Sequence, residues 1–366
     1  MPGFPRLTEV GGRREETQRG HGPHATVEAG VHEGHYTDAE LRRLVAYAAQ
    51  RFVTVVPEVE LPGHIQAGLA AYPELGNIDV GEPVVAPWSR FGVNPRTLAP
   101  TDEALAFGRA AIDALCDLFD SPWIGIGGDE VPVTEWAQSA AARERMRELG
   151  LATPHDVQPW FTDQFVAHVR SRGRTALAWD EVLEGDVPEG VQVLAWRGPV
   201  AMREALRRGI PVIACPDLEA YLDYPQSESG EEPIRVGPPL PIERAYALRV
   251  EDGASGGQAN VWTEHLPTTD RVDCAMFPRL AAIAERLWDG GEPPPYEGFA
   301  RRLPTHLRRL AESGVRYRPL DGPTPTQRRP GVPGKPLTRE ARQEIVAGLV
   351  ERLSGSHGTA DGVLSA

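Results

Sequence analysis

The sequence predicts an α/β fold, either a barrel or an open parallel sheet. Short apolar runs recur along the chain, and helical patterns with visible start signals lie between them. Runs apolar on both faces suit parallel strands covered by helices, because such strands are buried on two sides.

The strand-like runs are 53–58, 123–126, 175–179, 192–196 and 211–214, with a weaker one at 257–262. Thr37, Asp38, Ala39 and Glu40 form a capping box that opens a helix to about Arg51. A second helix runs from Thr101 to about Leu118, with Asp102 and Glu103 in the first turn, where the helix dipole favours anions. Helical stretches follow at 134–149, 155–172, 200–208, 276–288 and 299–314. Residues 319–336 are rich in Pro, Gly and Thr and read as a linker. Beyond them, 337–366 holds a short helix over 338–353 and a disordered tail. On this reading 1–318 is one body. No internal repeat is visible.

At 366 residues, 41% hydrophobic and 25% charged, the composition is that of a globular protein of one large or two smaller domains. A formal net charge of -14 argues against nucleic acid, whose phosphates it would repel. The three cysteines, Cys116, Cys215 and Cys274, have neither metal nor redox spacing and read as separate buried thiols. Residues 1–12 lack the apolar core of a signal peptide, and no run approaches the ~18 apolar residues of a membrane span. The expectation is a cytoplasmic protein with no membrane partner, or a secreted one if the true start lies upstream.

Polar and aromatic residues collect just after each strand-like run. Glu58, Glu60 and His64 follow the first, Asp129 and Glu130 the second, and Trp179, Asp180 and Glu181 the third. Trp196 ends the fourth, Tyr221 and Asp223 follow the fifth, and Trp262 and Glu264 end the last. In a parallel barrel these ends share the face that carries the active site.

Adjacent strand residues point to opposite faces, so Asp129 and Glu130 serve one ligand only where the strand breaks. Gly127 and Gly128 permit that break. Two carboxylates held close raise one pKa, which suits a general acid near neutral pH. A solvated acidic turn is the alternative. Gly-Gly-Asp-Glu also begins the signature of diguanylate cyclases, but there an aromatic residue follows, and here Val131 and Pro132 do. Trp179, Trp196 and Trp262 stand at strand ends beside carboxylates, as in carbohydrate pockets, where apolar sugar faces stack on aromatic walls. His21, His24, His32 and His35 form two pairs at three-residue spacing in a Gly- and Glu-rich segment that reads as a solvated loop rather than a metal site.

Taken together, the chain resembles family-20 glycoside hydrolases, the β-N-acetylhexosaminidases, over about residues 4–318. The matching segments are Phe-Pro-Arg-Leu-Thr-Glu-Val-Gly-Gly at 4–12, Val-Pro-Glu-Val-Glu-Leu-Pro-Gly-His at 56–64 and Gly-Gly-Asp-Glu-Val at 127–131. Trp-Asp-Glu at 179–181, Tyr-Leu-Asp at 221–223, Trp-Thr-Glu at 262–264 and Phe-Pro-Arg-Leu at 277–280 complete the set, and 299–318 resembles the family's closing helix.

The resemblance implies a (β/α)8 TIM-type barrel. By this mapping six of its eight strands are present: the first two, one carrying an Arg and one an acidic residue, are lacking, as is the family's small N-terminal domain. Gly125 stands where many members have a histidine. The implied activity is retaining exo-hydrolysis of terminal N-acetyl-β-D-hexosamine, with the substrate's own acetamido oxygen as nucleophile. By carry-over, Glu130 is the general acid–base and Asp129 steadies the acetamido N–H. Tyr221 hydrogen-bonds the acetamido oxygen, and Trp179, Trp196 and Trp262 line the pocket. Asp223 and Glu264 bind hydroxyls, and His64 supports Glu130. The implied partner is a carbohydrate substrate, with no cofactor and no metal. The competing expectation is a non-catalytic remnant that at most binds sugar.

Overall fold

The computed structural model describes residues 1–84, 86–234, 236–328, 332 and 334–354. The strands among them are β1 (Arg13–Arg19), β2 (Thr26–Glu33), β3 (Trp123–Gly125), β4 (Thr175–Trp179), β5 (Val191–Ala195), β6 (Val212–Ala214), β7 (Val236–Gly237), β8 (Gly256–Gly257) and β9 (Lys335–Pro336). The chain divides into two compact units. One is Met1–Thr17 with Ala29–Val193, the other Gln18–Glu28 with the described part of Leu194–Gly358. The boundary falls inside β5.

In the first unit β3 pairs with β4 in parallel, Trp123 opposite Thr175 and Gly125 opposite Leu177, and β5 follows β4. Helices Asp102–Leu118 and Val157–Ser171 pack on these strands and on each other. The first opens at Thr101, whose hydroxyl accepts from Ala104 N at 3.2 Å. Phe161 and Phe165, both buried, stack at 5.6 Å between centroids, and burial of each ring stabilises by roughly 1.5–3 kcal/mol. Gly108 lets the helices close, since a Cβ there would lie 2.4 Å from the Phe165 ring.

In the second unit β6 pairs with β8 in parallel, and Cys215 N donates to Ala195 O at 3.2 Å at the end of β5. Its core joins Leu222, Tyr224, Leu240, Tyr246 and Ile283 to Phe299, Leu303 and Leu307 from helix Tyr296–Glu312. The three cysteines are free and buried, as read from their spacing. Among the described residues no helix is long and apolar enough to cross a membrane.

Five expectations need correction. Residues 53–56 form no strand: Phe52 is fully exposed and Val53 56% exposed. Pairing begins only where Gly125 N donates to Pro57 O at 2.9 Å and Val59 N to Gly125 O at 3.0 Å. An apolar run becomes a strand only where a neighbour accepts its backbone bonds. The strand at 257–262 shrinks to the two-residue β8 and a bridge from Tyr221 to Asn260, because glycines at 256 and 257 weaken the ladder.

The helix read at 134–149 is two, Thr134–Gln138 and Ala140–Leu149, with Ser139 in extended backbone capping the second through Ala142 N. That at 276–288 is broken by Pro278 into Thr269–Met276 and Arg279–Asp289. The His-rich segment is a loop only in part: His21 and His24 lie in the connection between β1 and β2, His32 lies in β2 and His35 just past it, and the strands are tied by Arg13–Glu33 and Arg19–Glu28 ion pairs.

Within 319–336, where 329–331 and 333 lie outside the described residues, β9 pairs with β7 in parallel and Gln327 donates to Tyr317 O at 2.9 Å. Helix Arg339–Val350 lies within the stretch read at 338–353. The tail expected beyond it lies outside the described residues.

Candidate active site

The carboxylates of the first unit gather where β3 ends. Gly127 and Gly128 take φ of 67° and 94°, and Glu130 follows at 51°. The strand therefore breaks as its glycines predict, and Asp129 and Glu130 are presented together. A non-glycine residue with positive φ is uncommon, and such strain concentrates at functional positions. Gln158 Nε2 holds the turn through Gly128 O at 2.6 Å, and Trp179 N donates to Gly127 O at 3.1 Å from the end of β4. This turn follows a parallel strand and is no hairpin, which separates it from the cyclase motif.

His64 stands opposite, also with positive φ, at 48°. Its Nε2 lies 3.5 Å from Asp129 Oδ2 and 3.6 Å from Glu130 Oε2. Desolvation works against the imidazolium, but Asp129 and Glu130 outweigh it and raise the His64 pKa to about 11. The ring is thus a cation at neutral pH, bridging the two carboxylates. Ligand atoms of these three residues lie within 4.8 Å of one another.

Two further carboxylates complete the cluster. Glu60 is half-buried, and desolvation, then Asp129, then Glu58 push its pKa to about 10, so it is neutral at pH 7. Desolvation raises Glu58 as well, and the charge of Asp129 adds to it. The glycines make room for both. A Cβ on Gly127 would sit 1.8 Å from Glu60 Oε2, and one on Gly125 would sit 2.6 Å from Glu58 Oε2. Glu58 therefore occupies the space that a histidine at 125 would need. Behind the turn, Glu135 joins Arg96 at 2.7 Å and Thr97 N at 2.9 Å, which anchors the preceding loop.

Trp179 is buried at the end of β4, next to the wholly buried Asp180, and Glu181 accepts from Glu130 N at 3.5 Å. The first unit thus brings together His64, Asp129 and Glu130, with Trp179 reaching the same turn through its backbone.

The second unit groups most of the other predicted residues. The Tyr221 and Trp262 rings meet edge-on at 6.0 Å. Desolvation raises Asp223 to about 7, with Glu264 adding to the shift, and its Oδ1 is buried with no partner among the described residues. Such an acceptor calls for an unseen donor, and a ligand hydroxyl would serve. Trp196 is 4% exposed, with the Arg342 guanidinium 5.7 Å from its ring centroid.

Sequence reasoning grouped Glu58 and Glu60 with the strand ends but gave them no role. Gln158, Glu135, Asp217 and Arg342 left no motif. Gly127 was the one available signal, since a glycine beside an acid pair marks a close approach.

Parallel strands covered by helices, with an acid pair just past β3 and tryptophans at or just past the ends of β4 and β5, define an α/β protein. The model for the glycosyl hydrolase family 20 catalytic domain matches residues 1–291, and the chain belongs to this family. A β-hexosaminidase of Porphyromonas gingivalis is 35% identical, over 86% of this chain and 40% of its own length. One from Akkermansia muciniphila is 30% identical, over 84% and 62%. Among solved structures, a family-20 exo-β-N-acetylglucosaminidase from Vibrio harveyi in complex with N-acetylglucosamine superposes with a TM-score of 0.73. It is 29% identical over 87% of this chain and 52% of that one. The chain spans about 40 to 62% of these curated relatives. The solved family-20 enzymes agree with the α/β reading of the sheet.

Proposed function

We propose that the chain hydrolyses terminal non-reducing N-acetyl-β-D-hexosamine from oligosaccharides or glycoconjugates, with retention and with the 2-acetamido group as nucleophile. The observation that carries this reading is the Asp129–Glu130 pair on its glycine break, facing His64. Glu130 donates a proton to the leaving oxygen while the acetamido carbonyl oxygen attacks the anomeric carbon, so the glycosidic bond breaks as the oxazolinium ring closes. Asp129 accepts from the acetamido N–H and stabilises the charge that develops there. Glu130, now ionised, then takes a proton from the water that opens the ring. His64 keeps both carboxylates oriented.

In the same reading Tyr221 donates to the acetamido oxygen, Trp179, Trp196 and Trp262 wall the pocket, and Asp223 and Glu264 bind sugar hydroxyls. The unsatisfied Asp223 Oδ1 supports that role.

The test is hydrolysis of an aryl N-acetyl-β-D-glucosaminide by this chain and by Glu130→Gln. Removing a general acid should lower turnover by about 10²–10⁴-fold, most with poor leaving groups. A variant as fast as the unmodified chain removes Glu130 from the chemistry. No turnover by folded protein refutes the proposal.

A further inference from the structure

The helix that follows the Pro-rich segment, Arg339–Val350, packs on the residues around Arg197 and Asp217. Thr338 caps it, its hydroxyl accepting from Ala341 N at 3.1 Å, and Val346 and Leu349 are buried along one face. From the body of the unit, Arg197 donates to Leu349 O at 3.1 Å. Arg339 donates to Leu218 O at 2.9 Å and pairs with Glu219. One turn on, Arg342 Nε donates to Asp217 Oδ2 at 2.6 Å, and that carboxylate is 3% exposed.

Asp217 is the junction. Its backbone N donates to Trp196 O at 3.0 Å, and its Oδ2 accepts from Tyr224 Oη at 3.2 Å. Tyr224 packs on Tyr221 at 5.7 Å between ring centroids, and Asp217 opens the short helix Asp217–Ala220 that delivers Tyr221. The Arg342 guanidinium also lies 5.7 Å from the Trp196 ring centroid, within cation–π range. One cation is therefore linked to both aromatic residues, to one directly and to the other through Asp217 and Tyr224.

A buried carboxylate that loses the charged partner it has among the described residues either takes up a proton or shifts toward water. Either response alters the bond to Tyr224 and the start of helix Asp217–Ala220. Nothing in the motifs at Trp196 or 221–223 requires the C-terminal helix, which lies outside the matched residues 1–291.

We propose that Arg342, carried by the C-terminal helix, is a positioning residue that sets Trp196 and Tyr221 for the acetamido group, through the Arg342–Asp217–Tyr224 contacts. The role in catalysis rests on the glycosidase reading above; the placement of Trp196 does not.

The experiment uses the full chain labelled with 5-fluorotryptophan, the Trp196 ¹⁹F resonance being assigned with Trp196→Phe, together with kcat/KM on an aryl N-acetyl-β-D-glucosaminide. Arg342→Met should move the Trp196 resonance and lower kcat/KM by about 10- to 100-fold, the scale of a small misplacement of reacting groups. Arg342→Lys, which keeps a charge beside Asp217, should recover kcat/KM to within about threefold. Gln343→Ala, next on the helix, should change neither readout. If Arg342→Met does not fold, the double variant Arg342→Met with Asp217→Asn removes the unpaired charge and replaces it in both readouts.

An unmoved Trp196 resonance overturns the inference. So does a moved resonance with unchanged kcat/KM, or a loss that Lys fails to recover. If the unmodified chain turns over nothing, the glycosidase reading fails, and the resonance alone still decides whether Arg342 sets Trp196.

Discussion

Replacing Glu60 by glutamine should change the pH dependence of stability far more than stability at low pH. Glu60 lies beside Glu58 and Asp129, and its pKa stands at about 10 against an ordinary 4.5. The folded state therefore holds a proton that the unfolded chain releases near pH 4.5. Stability falls as pH rises through the window from about 4.5 to about 10, because the native state binds more protons there. Each pH unit inside that window is worth up to about 1.4 kcal/mol, so the three units from pH 5 to 8 set an upper limit of about 4 kcal/mol. Glu60 is half-buried and can share its proton with neighbouring carboxylates, which brings the expected figure nearer 2 kcal/mol. Glu60→Gln keeps the shape and the neutral hydrogen-bonding group and removes the proton exchange. Urea unfolding of both proteins at pH 5 and pH 8 measures the difference, with the variant as reference for all other titrating groups. The unmodified chain should lose about 2 kcal/mol more than the variant across that interval. Equal losses in the two proteins would refute a neutral Glu60 and the close approach of Glu60 to Asp129 that produces it.

Other consequences are open to direct test. His64, raised from 6.5 to about 11, contributes stability that is whole below pH 6.5 and is lost as pH climbs through 11. NMR of its ring should accordingly show a constant charge from pH 6 to 9, and a titration step inside that range would contradict the contacts to Asp129 and Glu130. Gly127→Ala must hold a Cβ at φ 67° and 1.8 Å from Glu60 Oε2, so beyond the roughly 1–2 kcal/mol of left-handed strain it should displace Glu60. Combining it with Glu60→Ala should recover part of the loss in urea unfolding, and strict additivity would show that the two residues do not collide. Asp129→Asn should lower kcat on the N-acetylglucosaminide, and the unmodified chain should favour that substrate over the matching glucoside. Equal rates on the two substrates would remove the acetamido group from the mechanism.

Much of this molecule was legible in the residues alone. The both-face apolar runs at 175–179 and 192–196 and the cap at Thr37 are local or nearest-neighbour effects, and the structure holds them where periodicity and capping chemistry put them. Gly127 and Gly128 likewise announced a broken strand, because positive φ is a property of the residue itself. The run at 53–56 shows the limit: its β-branched pattern is that of a strand, but a strand also needs an adjacent backbone. The glycine pair at 256 and 257 shows the converse, a strand cut short within its own sequence.

The sequence by itself determined the α/β class, the family, and the glycine break that presents Asp129 with Glu130, since these reside in residue type and order. Only the tertiary structure decided the protonation of His64 and Glu60, the occupation of the space beside Gly125 by Glu58, and the tie of Arg342 to Asp217, Trp196 and Tyr224. Those depend on which charges lose their water and which become neighbours, and residues 58 and 129, or 217 and 342, become neighbours only when the chain has folded.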